Sequence, residues 1–173
     1  MDRVREALFN ILGSFYAGGQ VLDLFAGTGS LGIEALSRGA GRVVFVEKDP
    51  RSLQVLKQNL KKLKDPARIT VCPGNVFQAL PRFYRDKEKF TLILADPPFK
   101  ANLWVKIFKA VARNNLLAEG GLLVAQVSRY YTLPERVDTL VRKHKRLYGE
   151  TSLEFWIYQP HGVDENENSH LPG

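Results

Sequence analysis

Val21-Leu22-Asp23-Leu24-Phe25-Ala26-Gly27-Thr28-Gly29-Ser30-Leu31-Gly32 decides the fold of this 173-residue chain. Its first four residues form a short apolar run of strand type, and Gly27 to Gly32 fit the spacing G-x-G-x-x-G just before a helical pattern. A strand that turns through glycines into a helix opens a doubly wound α/β sheet, because glycine lets backbone approach a ligand at the helix N-terminus. Outward from this unit, helical and strand periods alternate. Strands are expected over residues 21–24, 42–46, 69–71, 91–95 and 122–127, and helices over 3–12, 30–37, 50–62, 76–80, 103–113 and 134–140. Asp2 is the expected N-cap of the first helix, and Gly120-Gly121 the expected turn before the fifth strand. Residues 143–148 and 153–158 read as a hairpin, so the seven-stranded, mostly parallel sheet should end on an antiparallel strand.

The chain is long enough for one domain that buries about two thirds to 70% of its unfolded surface. Residues 1–159 are expected to form it, with 160–173, polar and without periodicity, as a disordered tail. Apolar residues make up 45% and charged residues 25%, an ordinary balance for a globular protein. No stretch approaches 18 apolar residues and no charged-then-apolar leader precedes the first helix, so the expectation is a cytoplasmic enzyme without a membrane anchor. Cys72 is the single cysteine and lies at the end of a strand, which excludes an internal disulfide and makes a cysteine nucleophile a poor reading. His144, His161 and His170 are scattered, and no metal is expected. Net charge is +7; the tail carries three acids and no Lys or Arg, which leaves 25 cations against 15 acids, or +10, on the remainder. That excess fits either a polyanionic partner or simple solubility.

Glu47 follows Gly27 by 20 residues at the end of the next strand, which completes a dinucleotide-binding fingerprint and on its own reads as NAD. Asp23 points elsewhere. An acid four residues before the first glycine faces a pyrophosphate unfavourably but suits the ammonium and sulfonium charges of S-adenosylmethionine. Its plain structural alternative is a helix-capping or turn aspartate.

Asp96-Pro97-Pro98-Phe99 lies 67 residues beyond Gly29, at the carboxyl end of the fourth strand. A conjugated exocyclic amine must become more sp3-like before it can attack a methyl carbon. The Asp96 carboxylate and the Pro97 carbonyl can accept its two hydrogens and stabilise the developing positive charge. Pro97 and Pro98 fix φ and offer no amide donor, so the carbonyl is presented by a stiff turn. Phe99 offers a face on which an unpaired base can stack. Alone, the tetrapeptide would be an ordinary strand–helix loop; beside the switch point of such a sheet it becomes a candidate catalytic turn.

These motifs resemble class I S-adenosylmethionine-dependent methyltransferases with a Rossmann-like sheet. Residues 2–12, DRVREALFNIL, together with 21–40, 44–49 and 96–99, narrow the likeness to RsmD-type enzymes, guanine-N2 methyltransferases of 16S ribosomal RNA. The resemblance implies catalysis by Asp96, Pro97, Pro98 and Phe99. It implies that S-adenosyl-L-methionine is held by Asp23, Phe25, Gly27, Thr28, Gly29, Glu47, Lys48, Asn75 and Val76. Asn75 departs from the acid usual at that place, although its amide oxygen can accept from the adenine amine. The partner implied is 16S ribosomal RNA, naked or within a small-subunit particle, and a monomer is expected. Family members carry a basic, glycine-containing stretch before this first helix, so either the chain is a shortened form or Arg3, Arg5 and other cations carry more of the RNA binding.

Two further basic segments stand out. Lys57, Lys61, Lys62 and Lys64 read as the solvated side of a helix whose apolar side is Leu53, Val55, Leu56, Leu60 and Leu63. Arg142 to Arg146 is denser, and edge protection and phosphate contact fit it equally. Tyr130 and Tyr131 fit pocket lining or packing. A DNA amino-methyltransferase, an NAD-dependent oxidoreductase and a silent RNA-binding relic are the rival functions.

Overall fold

The computed structural model describes residues 2–98 and 103–162. Helix α1 (Asp2–Leu12) precedes strand β1 (Gln20–Leu24), and helices α2 (Ser30–Ser37), α3 (Pro50–Lys61), α4 (Val76–Arg85) and α5 (Leu103–Arg113) follow. Between and after them lie strands β2 (Arg42–Glu47), β3 (Ile69–Pro73), β4 (Phe90–Ala95), β5 (Leu117–Ser128), β6 (Arg136–Val137), β7 (Leu140–Tyr148) and β8 (Thr151–Tyr158). They form one sheet in the order β3-β2-β1-β4-β5-β8-β7-β6. β1 to β5 pair in parallel; β8, β7 and β6 add antiparallel neighbours at one edge. The strand order reverses between β1 and β4, and that is where such sheets bind ligands.

Side-chain alternation divides the core between the two faces. Leu22, Leu24, Val44, Val46, Ile93 and Ala95 pack with α4 and α5. Val21, Val43, Phe45, Leu92 and Leu94 pack with α1, α2 and α3. Central strands buried on both faces need near-continuous apolar runs, which is why residues 21–24 and 42–46 read so plainly in the sequence.

Several expectations need correction. The sheet has eight strands rather than seven, and residues 134–140 are not helical: Val137 pairs with Leu140 in a tight hairpin. Leu133, Val137 and Leu140 imitate a helical spacing, but Asp138 turns the chain at φ 55 and all three are buried from extended or looping backbone. Gly120-Gly121 does not precede β5 but interrupts it as a bulge, since Phe90 pairs with Leu117 and Leu92 with Leu122. A Cβ on Gly121 would meet the Ala118 and Phe90 carbonyl oxygens at 2.9 and 3.0 Å, so only glycine fits there.

α4 continues past its expected end through Pro81 to Arg85. The missing amide costs one helical bond, yet Phe83 is held on the buried face edge-on to Phe90, with centroids 5.7 Å apart. On α3, Leu56 and Leu60 face the core, whereas Val55 is 40% exposed and belongs with the solvated side that bears Lys57 and Lys61. Cys72 is half-buried against the core, and burial raises its thiol pKa. The Asp2 side chain and the greater part of the expected tail, residues 163–173, lie outside the described residues.

Candidate active site

Every described residue of the expected site falls at the carboxyl edge of β3, β2, β1 and β4. Asp23 is the next-to-last residue of β1, Glu47 the last of β2; Asn75 and Val76 open α4 after β3, and Asp96 follows β4. Phe99 lies outside the described residues.

Asp23 is 2% exposed and sits in register between Phe45 of β2 and Leu94 of β4, two apolar neighbours on the α2 side. Burial pushes its carboxyl up to about 7; the Gly32 N–H pulls it down, and the Asp96 and Glu47 carboxylates raise it further. Its Oδ2 accepts the Gly32 N–H at 3.0 Å. The residue at the N-cap of α2 is Gly29, which has no side chain to offer, so Asp23 reaches from the strand to satisfy an orphan amide of the helix. The capping alternative is therefore present in the fold, on the same side chain expected to meet the cofactor.

Gly32 permits this contact. A Cβ there would stand 2.3 Å from Phe45 Cε1 and 3.0 Å from Asp23 Oδ2. Before α2 the chain takes left-handed conformations at Phe25 (φ 58), Gly27 (φ 59) and Gly29 (φ 91). For Phe25 that conformation costs about 1 to 2 kcal/mol, and such strain tends to collect at functional turns. Space beside Gly27 is open, with nothing within 4 Å of a built Cβ.

The glycine amides are already engaged. Gly27 N–H donates to Glu47 Oε2 at 2.8 Å, Gly29 N–H to the Ala26 carbonyl at 2.8 Å, and Gly32 N–H to Asp23. Glu47 Oε1 accepts from the Lys48 and Asp49 amides at 3.1 and 2.9 Å. In a dinucleotide site such amides would face a pyrophosphate. Here two of the three face carboxylates, an environment hostile to phosphate and favourable to a cation.

The remaining cofactor candidates divide by what they present. Lys48 and Thr28 are exposed, and the Thr28 carbonyl accepts from Asn59 Nδ2 at 2.9 Å, which ties α3 to the turn. Asn75 caps α4, its Oδ1 accepting the Phe77 N–H at 2.8 Å, so one lone pair of that oxygen is occupied. Val76 buries its side chain in the core, leaving its backbone for a ligand. Gly74, at φ 133, donates its amide to the Glu47 carbonyl at 2.8 Å and fastens the ends of β2 and β3 together. Sequence reasoning missed the roles of Gly32, Gly74 and Asn59. A glycine at the third fingerprint position was the available signal for the first, and nothing in the sequence signals Asn59.

Asp96 is partly buried, Pro97 buried and Pro98 exposed. Burial raises the Asp96 carboxyl to about 6. Asp96 and Asp23 are near enough that their charges interact, so the two acids lie together at this edge of the sheet. Tyr131 packs against the core, whereas Tyr130 is 78% exposed. Among the described residues, no three His, Cys, Asp or Glu side chains gather as metal ligands and no helix is long and apolar enough to cross a membrane.

A strand–glycine–helix turn, an acid on the first strand and Asp-Pro-Pro after the fourth define the class I methyltransferase architecture, and comparison narrows it. The family described as "Conserved hypothetical protein 95" matches residues 1–157, and the chain belongs to this family of RsmD-type methyltransferases. The chain is 38% identical over 161 residues to the Bacillus subtilis protein named "Putative rRNA methyltransferase YlbH", covering 93% of this chain and 86% of that one. It is 35% identical over 167 residues to the Escherichia coli protein named "Ribosomal RNA small subunit methyltransferase D", covering 96% and 81%. Among solved structures, a conserved hypothetical protein of Streptococcus pyogenes superposes with a TM-score of 0.80 at 32% identity, covering 90% of this chain and 95% of that one.

Proposed function

We infer that the chain transfers a methyl group from S-adenosyl-L-methionine to the exocyclic N2 amine of a guanine in 16S ribosomal RNA. The observation that carries this reading is the cluster of acids at the β1–β4 switch point, where the charges of Glu47 and Asp96 reach Asp23 and two glycine amides are already engaged by carboxylates. Such a cluster disfavours a pyrophosphate and suits a sulfonium donor with an ammonium group, so NAD is the weaker fit. Asp23 and the backbone of the glycine turn would hold the methionine end, Glu47 the ribose hydroxyls, and Asn75 with the Val76 backbone the adenine. When bound, the cofactor supplies an electrophilic methyl carbon.

The chain's own residues act on the acceptor. Ionised Asp96 and the Pro97 carbonyl accept the two amine hydrogens, turn the nitrogen lone pair toward the methyl carbon and offset its growing positive charge. The proton released after transfer passes from the amine to Asp96, whose carboxyl is already raised to about 6. Phe99 supplies a stacking face for the extruded guanine. Residues 1–159 act as one domain, in the cytoplasm and as a monomer, on 16S ribosomal RNA that is naked or in a small-subunit particle.

Asp96→Ala tests the assignment. It should lower single-turnover transfer to guanine-containing RNA by on the order of 10² to 10³ while calorimetric affinity for S-adenosylmethionine stays within a few-fold, since its partner is the substrate amine. An Asp96→Ala enzyme of wild-type rate removes this residue from the mechanism.

A further inference from the structure

We propose that the strand-β7 edge and the Arg129-Tyr130 loop form the RNA track leading away from the catalytic turn, receiving the single-stranded nucleotides beside the target guanine. The proposal rests on the RNA-methylating reading above and specifies where that substrate lies.

Register places the two regions side by side. Ala95 of β4 pairs with Ala125 of β5, Ala125 with Glu154 of β8, and Glu154 with Lys145 of β7, so these four residues form one row across the sheet. One residue nearer the site, Gln126, Leu153 and Arg146 align level with Asp96. Three strand spacings of about 4.8 Å put Arg146 about 14 Å from the catalytic turn, at the same edge of the sheet. The loop after β5 fills the interval: Arg129 N–H donates to the Glu150 carbonyl at 2.9 Å and its Nη1 to the Gly149 carbonyl at 3.0 Å, fixing the loop to the β7–β8 hairpin. Tyr130 projects from it, 78% exposed, with the Arg129 guanidinium 5.8 Å from its ring centroid. A fixed, exposed aromatic beside a guanidinium is the arrangement on which unpaired bases stack.

The four Lys and Arg residues of β7 divide into two sets. Arg142 and Lys145 share the single carboxylate of the fully buried Glu154, at 3.5 and 3.7 Å, which offsets part of their charge and ties both side chains to the fold. The side chains of Lys143 and Arg146 make no ion pair or hydrogen bond with any described residue, and β6 pairs with β7 only at Leu140 and Val141. Their charge is available to phosphate. Structural pairing thus accounts for only part of the basic run; of the remainder, Arg146 is level with Asp96 and Lys143 lies at the bulge three residues earlier on the open β7 edge.

Salt dependence of RNA binding tests this on the full chain, with guanine-containing RNA as probe and methyl transfer measured alongside. For single strands the slope of log K against log [salt] changes by about 0.7 per lost phosphate contact, so Lys143→Ala with Arg146→Ala should flatten it by about 1.4. Lys143→Arg with Arg146→Lys should restore it. Tyr130→Ala should weaken binding by roughly five- to a hundredfold without changing the slope. The alanine pair and Tyr130→Ala should raise KM for RNA more than they lower kcat. If the alanine pair keeps the wild-type slope and KM, including the case where it merely aggregates as a lost edge guard would, the track is refuted. Wild-type methyl transfer in the same series reports separately on the methylation reading, which survives or fails independently of the slope.

Discussion

Asp23→Asn should make the cofactor-free protein more stable at pH 8 and less able to hold its cofactor. In the fold this carboxyl is buried between Phe45 and Leu94 and raised from its ordinary 3.8 to about 7. A raised carboxylate pKa works against the folded state: the cost is absent below 3.8, grows as pH climbs, and is complete above about 7. At about 1.4 kcal/mol per pH unit, the full cost is about 4 kcal/mol, and roughly 3 kcal/mol of it develops between pH 4.5 and pH 8. Asparagine is close in shape and keeps an oxygen for the Gly32 N–H, so it removes the charge and little else. Urea denaturation of both proteins across that range should show the variant gaining on the wild type by up to about 3 kcal/mol as pH rises. Calorimetry at pH 8 should show a loss of S-adenosylmethionine affinity of at least tenfold, since a cation loses its buried counter-charge. A variant less stable than wild type at pH 8, or a stability difference that does not move with pH, would refute the burial account of Asp23.

Two further outcomes follow from the same geometry. Gly32→Ala should destabilise by about 1 to 3 kcal/mol in urea, because its Cβ would stand 2.3 Å from Phe45 and force α2 off the sheet, whereas Gly27→Ala meets open space and should cost only the left-handed strain of about 1 to 2 kcal/mol. Single-turnover transfer at saturating cofactor should rise with pH through about 6 and level off above it, since Asp96 must be ionised to accept the amine hydrogens. A flat profile between pH 5 and 8 would contradict that role.

The central sheet was legible because buried parallel strands require apolar runs, and 21–24, 42–46 and 91–95 have them. Glycines and prolines then placed the turns. Expectation failed where two spacings coincide: Leu133, Val137 and Leu140 fit a helix as well as a looping hairpin, and only the left-handed Asp138 decides. Gly120-Gly121 reads as a turn in sequence, yet partners that lie far along the chain make it a bulge within a strand. Of the candidate site, the places of Asp23, Glu47 and Asp96 at the carboxyl ends of their strands were readable from motif spacing. Helix capping by Asp23 was readable only as an alternative; which amide it caps was not, since its bond to Gly32 depends on how closely α2 lies against β1 and β2. The division of the β7 cations was hidden for a similar reason, because Glu154 faces Arg142 and Lys145 only once β8 has paired with β7.

The most direct test is mass spectrometry of nucleosides from 16S ribosomal RNA incubated with the purified protein and isotope-labelled S-adenosylmethionine. The expected product is N2-methylguanosine carrying the label, absent when Asp96→Ala replaces the wild type. Label in another nucleoside would contradict the guanine-N2 assignment, and no label in naked RNA or in small-subunit particles, from a protein that binds the cofactor, would contradict the methyl-transfer account itself.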